Sequence, residues 1–321
     1  MELIAVHINY VLVAGGLLGL FLGGEALIRG AVALAEALKI PKLIIGLTII
    51  GFGTSMPELL VSLQSVQQNA PDVAVGNVVG SNIANILLIL GLGALLRPIA
   101  TTARNVRREA LIMLVVSGAL TWLAWVGVLS QRDGLIMAGA LLAYLLLVYL
   151  LEGRKGEEDI APKVSLSPWV AVIWMIAGLA ALIAGADGLV RGATAIARDF
   201  GVSDAVIGLS LVAVGTSLPE LTVTILSAIR RQNEMALGNV LGSNIFNILG
   251  ILGITAAISP LPIAPHFLHV DLPLMLAAAV CLSAIILRRQ PIGRLAGLLF
   301  LLAYGGYMVW LVKGPALLGL H

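Results

Sequence analysis

The chain has 321 residues, 60% of them hydrophobic and only 11% charged, with a net charge of +2. An ordinary soluble domain carries roughly a quarter charged residues, so a water-soluble fold of this length would lack the polar surface to cover itself, and the net charge is too small to suggest a nucleic-acid partner. Cys281 is the only cysteine, so no intrachain disulfide can form.

A bilayer core about 30 Å thick is crossed by roughly 20 apolar helical residues. The chain offers many such runs and few of the alternating segments a membrane barrel needs. The expected fold class is an all-α membrane protein. The N-terminal segment MELIAVHINY has no basic region, and the apolar stretch after it is too long for a signal-peptide core, so the first span is placed at about 8–37. Spans at 42–69, 73–96, 107–128 and 134–151 follow. Glu152 to Ser167 is charged and contains proline, which marks residues 153–167 as a linker with no room for a folded regulatory module. Five more spans come after it, at 168–197, 203–229, 235–258, 268–287 and 293–312, to make ten transmembrane helices. His266 and His269, beside Pro265, have a spacing that metal ligands can use, but a position at the interface is the favoured reading. With the N-terminus outside, fifteen of the 19 Lys and Arg fall on the cytoplasmic side and four outside. The positive-inside rule therefore puts both termini outside the inner membrane and the linker in the cytoplasm.

An internal repeat organises the whole chain. Residues 53–59 read GTSMPEL and residues 215–221 read GTSLPEL; residues 76–87 read GNVVGSNIANIL and residues 238–249 read GNVLGSNIFNIL. Both pairs share an offset of 162 residues, and the same offset superposes Glu25 and Arg29 on Asp187 and Arg191. The expected domains are residues 1–152 and 168–321, each a five-helix repeat. Five is odd, so the second copy enters the membrane inverted relative to the first, an architecture that places transporter sites at the midplane between the copies.

The repeated motifs carry chemistry that membranes rarely hold. Glu58 and Glu220 fall mid-span, where a carboxylate costs at least a few kcal/mol, and no Lys or Arg lies within a helical turn of either. Each needs a cation or a proton. Pro57 and Pro219 precede them and are expected to break helices 2 and 7 at the ion site, freeing the carbonyls of Gly53 and Gly215 beside Thr54 and Thr216. Ser55 shares a helix face with Glu58, and Ser217 with Glu220; Ser81 with Asn85 and Ser243 with Asn247 do the same at a spacing of four. Carboxylate, hydroxyl, amide and carbonyl oxygens without sulfur or imidazole suit a hard cation such as Ca²⁺ or Na⁺, not Zn²⁺ or copper. For Asn77, Asn82, Asn239 and Asn244, interhelical hydrogen bonding is favoured over direct ligation. The i, i+4 pairs Glu25/Arg29 and Asp187/Arg191 read as intrahelical ion pairs, or alternatively as acids bordering the ion path.

These signatures resemble the Ca²⁺:cation antiporter superfamily of sodium/calcium exchangers, particularly its compact prokaryotic members, over essentially the entire chain. G-T-S-x-P-E and G-S-N-x-x-N each occur in both halves. The resemblance implies that Thr54, Ser55, Glu58, Thr216, Ser217 and Glu220 coordinate ions from the first signature, and Ser81, Asn85, Ser243 and Asn247 from the second. Some relatives carry aspartate where Asn247 stands, so this chain has two formal carboxylates rather than three. The implied activity is secondary active exchange of Ca²⁺ for Na⁺ by alternating access, with the long first and sixth spans sliding over a rigid core. Neither enzymatic activity nor a cofactor nor an obligate protein partner is implied, and the surroundings are membrane lipid. A proton-coupled antiporter, a cation channel and an intramembrane enzyme are the competing classes. The enzyme is disfavoured because the midplane offers no histidine or lysine.

Overall fold

The structure, a computed structural model, describes residues 2–38, 40–102, 105–152, 167–200 and 215–317. In chain order the helices are α1 (Glu2–Leu38), α2 (Lys42–Thr54), α3 (Met56–Gln67), α4 (Pro71–Leu96), α5 (Val106–Ala124), α6 (Gln131–Glu152), α7 (Pro168–Asp199), α8 (Leu218–Ile229), α9 (Asn233–Ile258), α10 (Phe267–Leu287) and α11 (Arg294–Leu317). Among the described residues seven are long and apolar enough to cross a membrane, and α2 with α3, bent by 40° at their junction, makes an eighth. The chain is therefore a multi-pass, essentially all-α membrane protein. Of the other two expected spans, α5 carries Arg107, Arg108 and Glu109 in its first turn. The other is seen only from the short helix α8 onward, because residues 201–214 lie outside the described set, as do residues 153–166 of the expected linker.

Burial sorts the helices into centre and rim. In the most apolar 18-residue stretch of each helix, 78% of α4 and 83% of α9 lie inside the fold, against 33% of α1 and of α7. The motif-bearing helices are thus screened from lipid by their neighbours. Toward the helix ends the outer surface exposes Trp122, Trp125 and Trp169, as expected of aromatic side chains at the headgroup level.

α1 and α7 pack chiefly against each other. At 37 and 32 residues they are about 55 and 48 Å long, well beyond the bilayer core. They run antiparallel in contact, because Gly16 meets Leu189, Gly23 meets Leu182 and Gly30 meets Ala171. Their buried apolar residues form a cluster with Ile45, Ile50, Val223, Leu226 and Met235, separate from the larger core that joins α2, α4–α6 and α8–α11. Ser167 starts α7 by accepting a 3.4 Å bond from the Val170 amide, with Pro168 at the first helical position.

Two tight turns show the repeat in the backbone. Asn69, between α3 and α4, has φ 56° and Arg231, between α8 and α9, has φ 63°. The amides of Ala70 and Gln232 close these turns onto Ser65 and Ser227, each at 2.8 Å. Asparagine enters this left-handed region readily, whereas arginine does so at a cost. Two two-residue strands not expected from the sequence, β1 (Val128–Leu129) and β2 (Leu261–Pro262), pair antiparallel, and Ile99 bridges Ile292 in the same manner. These links satisfy loop amides and carbonyls next to helix ends.

Candidate ion site

The α2–α3 break falls at Ser55, whose φ of −83° and ψ of 6° end one helix and begin the next. Pro57 lies in the first turn of α3 and Pro219 in the first turn of α8. There the missing N–H has no partner to lose, so each proline starts a helix rather than kinking one. Glu58 and Glu220 occupy the same first turns, where helix N-termini favour negative charge.

The two carboxylates are wholly buried, 0% and 1% exposed, and each is held by the opposite motif. Ser55 Oγ donates to Glu220 Oε1 at 2.9 Å, and Ser217 Oγ donates to Glu58 Oε1 at 3.2 Å. Among the described residues no Lys or Arg forms an ion pair with either acid. Asn77 Nδ2 donates to the Glu58 carbonyl and to Ser62 Oγ, both at 3.0 Å; Asn239 Nδ2 donates to the Glu220 carbonyl at 3.2 Å and to Thr224 Oγ1 at 3.0 Å. These two asparagines dock the motif-bearing helices α3 and α8 onto α4 and α9.

A second layer is just as reciprocal. Asn85 Nδ2 donates to Asn244 Oδ1 at 3.3 Å, and Asn247 Nδ2 to Asn82 Oδ1 at 3.0 Å. Asn82 and Asn244 thereby hold the other two asparagines with their oxygens free. Glu58 Oε2, Glu220 Oε2, Asn85 Oδ1 and Asn247 Oδ1 are all buried without a hydrogen-bond partner. Buried acceptors left in this state are costly, and having them in repeat-related pairs argues against accident. Both Asn85 and Asn247 also open a π-helical segment, Asn85–Leu90 and Asn247–Leu252, the kind of local widening found at functional sites.

Thr54 Oγ1 sits 3.0 Å from the Ile50 carbonyl and 3.2 Å from Asn239 Oδ1, and Ser243 Oγ donates to the Gly51 carbonyl at 3.3 Å. Ser81 and Thr216 line a cavity of about 410 Å³ that also touches Asn77 and runs between α4, α10 and α11. His266 lines this cavity, while His269 is exposed at the surface. No group of three or more His, Cys, Asp or Glu residues is gathered anywhere among the described residues, so any ion here must take most of its ligands from neutral oxygens.

Two features escaped the sequence reading. Glu25 pairs with Arg29 as expected, but also with Arg230 at the end of α8. Its repeat mate Asp187 pairs with Arg191 at 2.8 Å. Buried Glu109 accepts from Arg108 Nε at 2.8 Å and from Tyr144 OH at 2.7 Å, and Asp271 accepts from Tyr307 OH at 2.6 Å. Glu109 and Asp271 stand 162 residues apart, so the repeat offset was the signal that could have found them. Arg108→Leu should leave Glu109 buried with a neutral partner only. We expect a destabilisation of up to about 3 kcal/mol, at the low end for broken buried pairs because the arginine is partly exposed. The check is the thermal unfolding midpoint in detergent.

Comparison with known proteins agrees with this architecture. The sodium/calcium exchanger protein family model matches residues 8–150 and 170–313. The chain belongs to the sodium/calcium exchanger family. Among its relatives in that family, the inner membrane protein YrbG of Escherichia coli is 37% identical over 307 residues, covering 92% of this chain and 93% of that protein. The sodium/calcium exchanger MaX1 of Methanosarcina acetivorans is 31% identical over 344 residues, covering 95% and 98%. The solved structure of the sodium-calcium exchanger NCX_Mj, soaked with sodium and no calcium, superposes with a TM-score of 0.85 at 31% identity, covering 96% of this chain and 99% of that one. This exchanger therefore has a fold already seen in a carrier of the same family.

Proposed function

We propose that the chain is a secondary active antiporter that exchanges Ca²⁺ for Na⁺ across the inner membrane by alternating access. The observation that carries the reading is the pair of buried glutamates, free of arginine, each bonded to the serine of the other motif and each with one oxygen unpartnered. Two ionised carboxylates in a lipid-shielded centre need a compensating charge of about +2. One Ca²⁺ supplies it, and so do two or more Na⁺, in competition for the same oxygens. Thr54, Ser55, Glu58, Ser81, Asn85, Thr216, Ser217, Glu220, Ser243 and Asn247 are proposed as the ligand shell. Asn77, Asn82, Asn239 and Asn244 hold it in shape.

The architecture we assign is ten transmembrane helices in two inverted repeats, residues 1–152 and 168–321, joined by a cytoplasmic linker, with both termini outside. The matched segments on either side of the linker and the hydrogen bonds recurring at an offset of 162 support it. Helix 2 is broken at Ser55, and the same motif puts the break of helix 7 at Ser217. Because α1 and α7 pack chiefly against each other and lie outside the larger core, they are the natural moving part. Sliding them past α2, α3 and α8 would exchange exposure of the site from one side to the other. A site whose acids carry no ion would resist that movement, which couples the two fluxes.

Proton coupling is the reading to be separated from sodium coupling, since each free Glu Oε2 could hold a proton as well as face a metal ion. Proteoliposomes loaded with Na⁺ and diluted into Na⁺-free medium with labelled Ca²⁺ should accumulate it. A pH gradient of equal size without Na⁺ should not. Uptake driven by the pH gradient alone would overturn the sodium reading, and Ca²⁺ entry without any counter-ion would indicate a channel.

A further inference from the structure

The 410 Å³ cavity beside the exchange site holds an acid that the exchange mechanism does not use. Asp271 lies in a π-helical turn at the start of α10, is 5% exposed and borders the cavity. Its Oδ1 accepts from Tyr307 OH at 2.6 Å, and among the described residues no Lys or Arg pairs with it. Its repeat mate shows what this position otherwise requires. Glu109 has the same kind of tyrosine bond, from Tyr144, and in addition the guanidinium of Arg108 directly before it. The residue before Asp271 is Val270. One buried acid thus has a counter-cation built into the chain, while the other has a cavity in its place. The same cavity wall offers Asn77, Ser81 and Thr216, all oxygen donors.

We propose that Asp271, with the Tyr307 hydroxyl, forms a second cation site that takes a hard, oxygen-seeking metal ion at the mouth of the exchange site. A buried carboxylate whose partner is a neutral hydroxyl is stabilised by a cation supplied from outside. The cavity is far larger than one water occupies, so the ion can keep part of its hydration shell. An ion held there shares its walls with Ser81 and Thr216, and so is concentrated next to the place where exchange begins.

The site is tested apart from transport, so that the result stands whether or not the chain exchanges Ca²⁺ for Na⁺. In a Glu58→Gln/Glu220→Gln chain purified in detergent, Tb³⁺ is titrated while its emission is excited through nearby aromatic rings. We expect a saturable signal that Ca²⁺ displaces. Asp271→Asn should abolish it, Asp271→Glu should retain it, and Val270→Arg, which copies the Arg108–Glu109 arrangement, should abolish it with Asp271 still present. If Asp271→Asn does not fold, the Val270→Arg and Asp271→Glu pair decides the matter. No saturable signal, or an equal signal with Val270→Arg or Asp271→Asn, overturns the proposal.

Discussion

Glu58→Gln and Glu220→Gln are each expected to reduce Na⁺-driven Ca²⁺ uptake to background without removing the protein from the membrane. The substitution keeps the size of the side chain and an oxygen that can still accept from the crossing serine, Ser217 for Glu58 and Ser55 for Glu220. What it removes is one of two formal charges facing the ion. At an effective dielectric near 20 a unit charge at about 4 Å contributes about 4 kcal/mol, and more against a divalent ion, which is roughly a thousandfold in affinity. The remaining acid still needs compensation, so the variants should favour a monovalent ion or a proton over Ca²⁺. Labelled-Ca²⁺ uptake, with expression followed by fluorescence size exclusion, separates lost binding from lost protein. Full uptake in either variant would rule out the assigned site.

Gly185→Ala should impair exchange while Gly118→Ala should not, although the two changes are chemically identical. A Cβ at Gly185 would lie 2.7 Å from the backbone nitrogen of Leu20 and 2.9 Å from the carbonyl oxygen of Gly16. Neither backbone atom can yield unless α1 and α7 part along their length. Overpacking of this kind costs about 1–3 kcal/mol, and close approach through small residues is what binds helices in a lipid surround. Gly185→Leu should therefore separate the pair and abolish transport. At Gly118 a Cβ meets nothing within 4 Å, so alanine there should raise helix stability by up to about 1 kcal/mol. The thermal unfolding midpoint should fall for Gly185→Ala and rise for Gly118→Ala, and the exchange rate should fall only in Gly185→Ala.

Most of the helical layout was legible because lipid imposes a simple code: apolar runs of fixed length interrupted by charge. The span expected at 73–96 is the helix Pro71–Leu96, and that expected at 235–258 is Asn233–Ile258. The break expected from Pro57 is present, but it falls two residues earlier, at Ser55, and the proline ring begins the next helix instead of interrupting one. For the site, periodicity put Ser55 on the face of Glu58, yet the hydroxyl of Ser55 bonds Glu220. Spacing along one helix says which side chains point together, not which helix lies opposite. Arg230 and Glu25 illustrate the same limit. Their pairing depends on where the end of α8 meets α1, and no local pattern encodes that. The Asn77, Asn82, Asn239 and Asn244 amides do bond to neighbouring helices, as the cost of an unpaired amide in an apolar interior required.

The crossed serines have a consequence for heredity as well as for chemistry. Because Ser55 steadies the acid of the later half and Ser217 that of the earlier, a mutation in one half is felt by the carboxylate of the other. Neither half can drift alone. Each motif is completed by a hydroxyl from its twin, so a loss on either side leaves a carboxylate on the other short of its donor.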